Sequence, residues 1–204
     1  MQLIFVTMNL QNNEFNDSDY SSCVARLIAL GIRVVAFDMD QTAVSQHSRG
    51  RLKREDLNQY LDQATPDFLA LVPLLYSRGL KLAIATHSDE AEFGGEVQPE
   101  THILGEELAR ALVQKHFSPQ IASAFHLIAY NPRHHGSEGQ QESNRIKRYH
   151  MRKLIEYFQV LPHEVLFLDD TKGVVDDCIE TCGVKTILVD AAKGFQINDL
   201  RDNL

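Results

Sequence analysis

Five short apolar runs, each rich in β-branched or aromatic residues, set the strongest constraint on how this chain can fold. They are RVVAFD at 33–38, LKLAIAT at 80–86, FHLIAY at 125–130, EVLFLD at 164–169 and VKTILVD at 184–190. Stretches with helical spacing separate them. Strands that are apolar on both faces and alternate with helices predict an α/β fold with a doubly wound parallel sheet, because helices must cover both sides. The helix ends are marked in the sequence. Asp17 or Ser18 can cap a helix through Leu30 that stops at Gly31. Thr65-Pro66 opens a second that ends at Gly79, with Pro73 kinking it or marking its true start. Apolar residues also recur at helical spacing in 103–117, 147–158 and 173–183.

A chain of 204 residues that is 44% hydrophobic can build one core. The expected organisation is an N-terminal arm and helix, 1–31, packed on an α/β domain, 32–204. The arm's opening, MQLIFVTMNL, is apolar but lacks a basic leader and a small-residue cleavage site, so it reads as a short strand or arm. A net charge of -8 argues against nucleic acid or an anionic membrane as the partner, and no run approaches the apolar length of a bilayer span. Three cysteines are an odd count, which favours a reducing, cytoplasmic compartment over a disulfide framework. Cys178 and Cys182, four apart, read as ordinary thiols, not as half of a metal site.

Two polar stretches, 45–64 and 131–144, interrupt the alternation, and each follows a strand on the side where the strands end. In open parallel sheets that side carries the ligand site, so these loops are placed to frame one. The strand ends are chemically marked as well. Within VVAFDMDQTAV a buried-strand pattern stops at Asp38 and Asp40, followed by Thr42. Two carboxylates about 4 Å apart repel by roughly 4 kcal/mol at an effective dielectric near 20, and a divalent cation such as magnesium is the simplest group to offset that. The second strand ends in Thr86, the fourth in Asp169 and Asp170. A lone acidic strand end would read as a helix cap; two acidic pairs and a hydroxyl on independent strands are harder to read so.

At these residues the chain resembles the haloacid dehalogenase (HAD) superfamily of phosphotransferases. FDMDQTA is similar to its D-x-D-x-T motif, Thr86 to its second motif and LFLDD to its fourth. The third motif is a lysine ahead of the last acidic strand. Lys147 and Lys153 compete for it, and KRYHMRKL resembles the K-x-x-H-F-x-x-L run of the magnesium-dependent phosphatase branch, which favours Lys147. The resemblance spans roughly 34–190. Where that branch carries an arginine after the second motif, and an acidic residue and an asparagine after the double aspartate, this chain has His87, Thr171 and Val174.

The resemblance implies a magnesium-dependent phosphomonoester hydrolase with an aspartyl-phosphate intermediate on Asp38. Asp40 would serve as acid and then base, helped by acidic neighbours that raise its pKa. Thr86 and Lys147, with His87 beside them, would bind the phosphoryl group. Asp38, Asp40 through its carbonyl, Asp169 and Asp170 would hold or support Mg2+. The basic run Arg145, Lys147, Arg148, Arg152 and Lys153 otherwise reads as a solvated helix face, and the His134-His135 pair as exposed. The short spans between motifs point to a capless or minimally capped member, open to a phosphorylated small molecule or a phosphoprotein. Two other classes share parts of the pattern. A phosphate-responsive receiver module has its acidic pair first and its lysine last, unlike this order, and a silent interaction relative would usually lack the nucleophile.

Overall fold

The computed structural model describes residues 17–49, 52–87, 100–103, 105–130 and 147–204. The arm before Asp17, the loop 131–144, His134, His135 and Arg145 lie outside the described residues. Among the described residues, five strands form one parallel sheet: β1 (Val34–Phe37), β3 (Lys81–His87), β5 (Phe125–Tyr130), β6 (Val165–Asp169) and β7 (Lys185–Leu188). Their order across the sheet is β5-β3-β1-β6-β7. All five expected strands are present, each within two residues of its expected ends, and β1 is central. That position explains why its sequence is apolar without alternation.

Side-chain alternation divides the core between the two faces of the sheet. Val35, Phe37, Leu82, Ile84, Leu166 and Leu168 join the larger cluster, which is completed by α1 (Asp17–Ala29), α3 (Pro66–Ser77), α4 (Gly105–His116) and α8 (Ile197–Asn203). Phe68 is its hub, edge-on to Phe37 at 5.1 Å and to Phe117 at 5.5 Å. Buried Asp67 fastens the same face: it accepts hydrogen bonds from the Tyr20 hydroxyl at 2.7 Å and the Ile197 N–H at 2.6 Å, joining α1 and α8 to α3. On the other face Val34, Ala36, Ala83, Ala85, Val165 and Phe167 meet α6 (Arg148–Phe158) and the helix after β6. The alanines on this face leave room for α6 to lie close to the sheet.

The helix signals hold with corrections. Gly31 and Gly79 stop α1 and α3 with φ of 78° and 79°, the left-handed conformation that glycine adopts at no steric penalty. Thr65 caps α3 by accepting from the Phe68 N–H at 3.4 Å. Pro73 lies inside α3 and does not mark its start. The single helix expected over 173–183 is α7 (Lys172–Asp177) continuing as a π turn, Cys178–Cys182, closed by Gly183 at φ 67°. The three cysteines are free thiols. The polar stretch 45–64 is more structured than its composition suggests. It contains β2 (Leu52–Lys53), a 3-10 turn (Arg54–Asp56) and α2 (Leu57–Leu61), and β2 pairs antiparallel with β4 (His102–Ile103). One more short helix, α5 (Pro119–Ala124), precedes β5. Among the described residues, no helix is long and apolar enough to cross a membrane.

Candidate active site

The sheet register assembles the first half of the site. Phe37 pairs with Ile84 on one side and Leu168 on the other. One step further, Asp38 therefore stands between Ala85 and Asp169 in a single row across three strands. The Asp38 N–H donates to Leu168 O at 2.8 Å, which extends the β1 ladder to the carboxylate itself. Alternation puts Asp38, Ala85 and Asp169 on the face covered by α6. Lys147 is the residue that opens α6, and it is 4% exposed. Its Nζ donates to Asp38 Oδ1 and to the Ala85 carbonyl at 2.7 Å, lies 3.3 Å from Asp169 Oδ2, and sits 5.3 Å from the Phe167 ring centroid. The small side chain at position 85 leaves the ammonium space over the strand. Lys153 is elsewhere: it pairs with Glu156 at 3.4 Å and lies over the Tyr149 ring. Arg148 forks onto Asp177, and Arg152 pairs with Glu156.

Asp40 belongs to a different setting. After β1 the chain turns sharply, with Ala43 N–H on Asp38 O at 3.2 Å, Val44 N–H on Met39 O at 2.9 Å, and Gln41 at φ 56°. Gly194, at φ 69°, backs this turn so closely that a Cβ there would stand 2.6 Å from Thr65 Cγ2 and 3.2 Å from Thr42 O. The Asp40 side chain is directed to the 45–64 segment. Its Oδ1 accepts from the Tyr60 hydroxyl, its Oδ2 accepts from Ser48 Oγ at 2.6 Å, and His47 Nδ1 lies 2.9 Å from Oδ2.

A cavity of about 380 Å³ opens over both halves, lined by Asp38, Asp40, Gln41, His47, His87, Lys147, Asp169, Asp170, Thr171 and Val174. Four carboxyl groups face one lysine there. Burial is the largest influence on Asp38, and with Asp169 and Asp40 nearby it outweighs the pull of Lys147, so the carboxyl is pushed up to about 7. Lys147 is held protonated: burial opposes its charge, but Asp38 and Asp169 more than compensate. Asp170 is raised by partial burial and by Asp169. For Asp40 burial also pushes upward, yet the hydrogen bonds from His47, Ser48 and Tyr60 prevail and its pKa is lowered. Acidic neighbours therefore do not raise it as its place beside Asp38 suggested.

Asp38, Asp40, Lys147, Asp169, Asp170 and His87 thus come together at the carboxyl end of the sheet. Thr86 is buried at the end of β3 and is not among the residues lining the cavity. His87, Thr171 and Val174, the three departures from the resembled branch, all line it. The donors fit a hard divalent ion. Two carboxylates in one row, a carbonyl in the turn beyond and a surplus of negative charge suit magnesium, which commonly takes one or two carboxylates and completes its shell with water. Among the described residues, no group of three His, Cys, Asp or Glu side chains is poised to hold a metal by itself. Sequence reasoning missed Tyr60, His47 and Ser48. The available signal was an aromatic with a His and a Ser inside a stretch already expected to frame the site.

No protein-family model matches the sequence, and no curated protein matches it. Among solved structures, the chain is similar to a haloacid dehalogenase-like family hydrolase from Streptococcus pneumoniae, with 16% identity, a TM-score of 0.48, and coverage of 85% of this chain and 91% of that one. It is also similar to the HAD domain of the effector protein Lem4 from Legionella pneumophila, with 13% identity, a TM-score of 0.49, and coverage of 84% and 92%. This is a likeness of fold. The site's geometry stands independently of it.

Proposed function

We propose that this chain is a phosphomonoester hydrolase in which Asp38 is the nucleophile. The observation that carries the reading is the row formed by Asp38 and Asp169 with the Lys147 ammonium on both carboxylates, buried at the end of a parallel sheet and open to one cavity. An Asp38 oxygen attacks phosphorus and the ester P–O bond breaks, leaving an aspartyl-phosphate. Water then attacks phosphorus, inorganic phosphate departs and Asp38 is restored. Lys147 neutralises the phosphoryl oxygens in a site too buried for bulk water to do so. Thr86, buried one residue beyond the carbonyl that Lys147 binds, would add a hydroxyl to that task. Asp40 serves the attacking water as base. Its three polar neighbours stabilise the ionised form, which suits that task and leaves the departing oxygen to take its proton from solvent.

Mg2+ would be held by Asp38, the Asp40 carbonyl and Asp169, with Asp170 beside them, and when bound it would supply the positive charge that lets an anion meet an anion. The substrate is a phosphorylated small molecule or a phosphoprotein, and the compartment is the cytoplasm. The test is release of nitrophenolate from 4-nitrophenyl phosphate with and without magnesium. A magnesium-dependent turnover is expected, together with a rise in melting temperature on adding magnesium to the wild type but not to Asp169→Asn. No turnover with any divalent ion would refute the reading.

A further inference from the structure

The proposed chemistry requires Asp40 but leaves unexplained why a buried tyrosine reaches it. Tyr60 is 2% exposed and stands on α2, a helix of only five residues. Two contacts from the end of α4 fix that helix in place. Lys115 Nζ donates to Asn58 O at 3.1 Å, and His116 Nε2 lies 2.8 Å from Leu61 O. The Tyr60 ring is thus set in the core with its hydroxyl on Asp40 Oδ1. Ser48 and His47 take the other oxygen. Asp40 has reason to move otherwise. It follows Asp38 by two residues, beyond the end of the ladder, and it lines the same cavity as the Lys147 ammonium. A carboxylate that swung to Lys147 would loosen that lysine's hold on Asp38 and leave water with no base.

We infer that Tyr60 is a positioning residue for Asp40: it fixes the carboxylate at the cavity wall and away from Lys147, so that it takes the proton from the water that attacks the phosphorylated Asp38. The inference rests on the phosphatase reading above. Tyr60 does not touch the reacting atoms, and its effect passes entirely through Asp40. Phenylalanine at this position keeps the buried ring and removes only the hydroxyl.

The test follows nitrophenolate from 4-nitrophenyl phosphate before the steady state, in magnesium, for wild type, Tyr60→Phe, Asp40→Asn and the double variant. Tyr60→Phe should slow hydrolysis of the phospho-enzyme about tenfold, the size of one hydrogen bond to a charged group, and leave the first step within about twofold. It therefore shows a burst approaching one nitrophenolate per protein, larger than in the wild type. In the Asp40→Asn background the same change should add less than about twofold, since residues that act through one another are not additive. Ser48→Ala, which removes a donor from the other oxygen without disturbing the core, should give the same pattern with a smaller burst. Losses that multiply in the double variant, an equal slowing of both steps, or an unchanged Tyr60→Phe would overturn the inference while the phosphatase reading stands. A wild type that releases no nitrophenolate would remove both.

Discussion

Two aspartates separated by one residue occupy opposite electrostatic worlds in this protein, and the contrast shows how a strand end and a loop divide the work of a site. Asp38 is held by the sheet. Its backbone continues the β1 ladder, its neighbours are Ala85 and Asp169 on adjacent strands, and its cationic partner among the described residues, Lys147, comes from the helix that covers that face. Asp40 is held by a segment that leaves the sheet, with two hydroxyls and an imidazole nitrogen around it. Register dictates the first environment; tertiary packing of α2 dictates the second. The first carboxyl is pushed up by burial among acids, the second drawn down by donors.

The sharpest break in the comparison is at Asp38. Asp38→Asn keeps the shape and removes the nucleophile, so turnover of 4-nitrophenyl phosphate should fall by about 10³-fold or more. A variant with wild-type turnover would show that the sheet-borne carboxylate does not carry the chemistry. Next comes the lysine. Lys147→Ala removes the ammonium that spans Asp38 and Asp169 and should lower kcat by about 10²-fold, the scale seen for a single transition-state donor. Lys153→Ala, which removes an exposed pair with Glu156, should change it by less than about twofold. Comparable losses at the two lysines would overturn this assignment.

The same contrast explains what could be read before any coordinates. The strands and the acidic row were legible because β1 and β6 are apolar on both faces and each gives way to an acidic pair, more than helix capping alone requires. Lys147 was singled out by the resemblance of KRYHMRKL to the third-motif run and by its distance ahead of Asp169 and Asp170. Its competitor Lys153 was separated only by the structure, which turns one residue of α6 inward and the other outward. The Tyr60 clamp was illegible for a physical reason. Its three donors come from one polar segment whose path depends on β2 pairing with β4 and on α4 holding α2, contacts between positions some 50 residues apart. The π turn after Asp177 was equally hidden, since its residues keep helical spacing.

A smaller effect is expected at Thr86. It ends β3 beside the carbonyl that Lys147 binds, but it is buried and outside the cavity lining. Thr86→Val should therefore lower kcat/KM about tenfold or less, the worth of one hydroxyl contact, and visibly less than Lys147→Ala. A loss matching that of the lysine would place the hydroxyl in direct charge stabilisation and make β3 an equal partner of β1 and β6.

The least dramatic test is also the one that addresses the contrast itself, because the two aspartates should couple stability to pH over different ranges. Folded Asp38 keeps its proton up to about pH 7 because burial disfavours the charge, whereas in the unfolded chain the group ionises near 3.9. Between those values the folded state binds the extra proton, so this residue's contribution to stability falls as pH rises from about 4 to about 7. Asp40 runs the other way. Its lowered pKa, the outcome of hydrogen bonding over burial, means its stabilisation is complete above about pH 4 and is lost only below it. With magnesium removed by a chelator, Asp38→Asn should thus melt several degrees above the wild type at pH 8, an advantage that shrinks steadily toward pH 5. Asp40→Asn should melt below the wild type by a margin that changes little over the same range, since the carboxylate it replaces is ionised throughout and its charge is only a minor influence on Asp38. Melting differences that move in parallel with pH for the two variants would mean that the sheet end and the loop give these carboxylates one shared environment, and the division of labour drawn between them would fail.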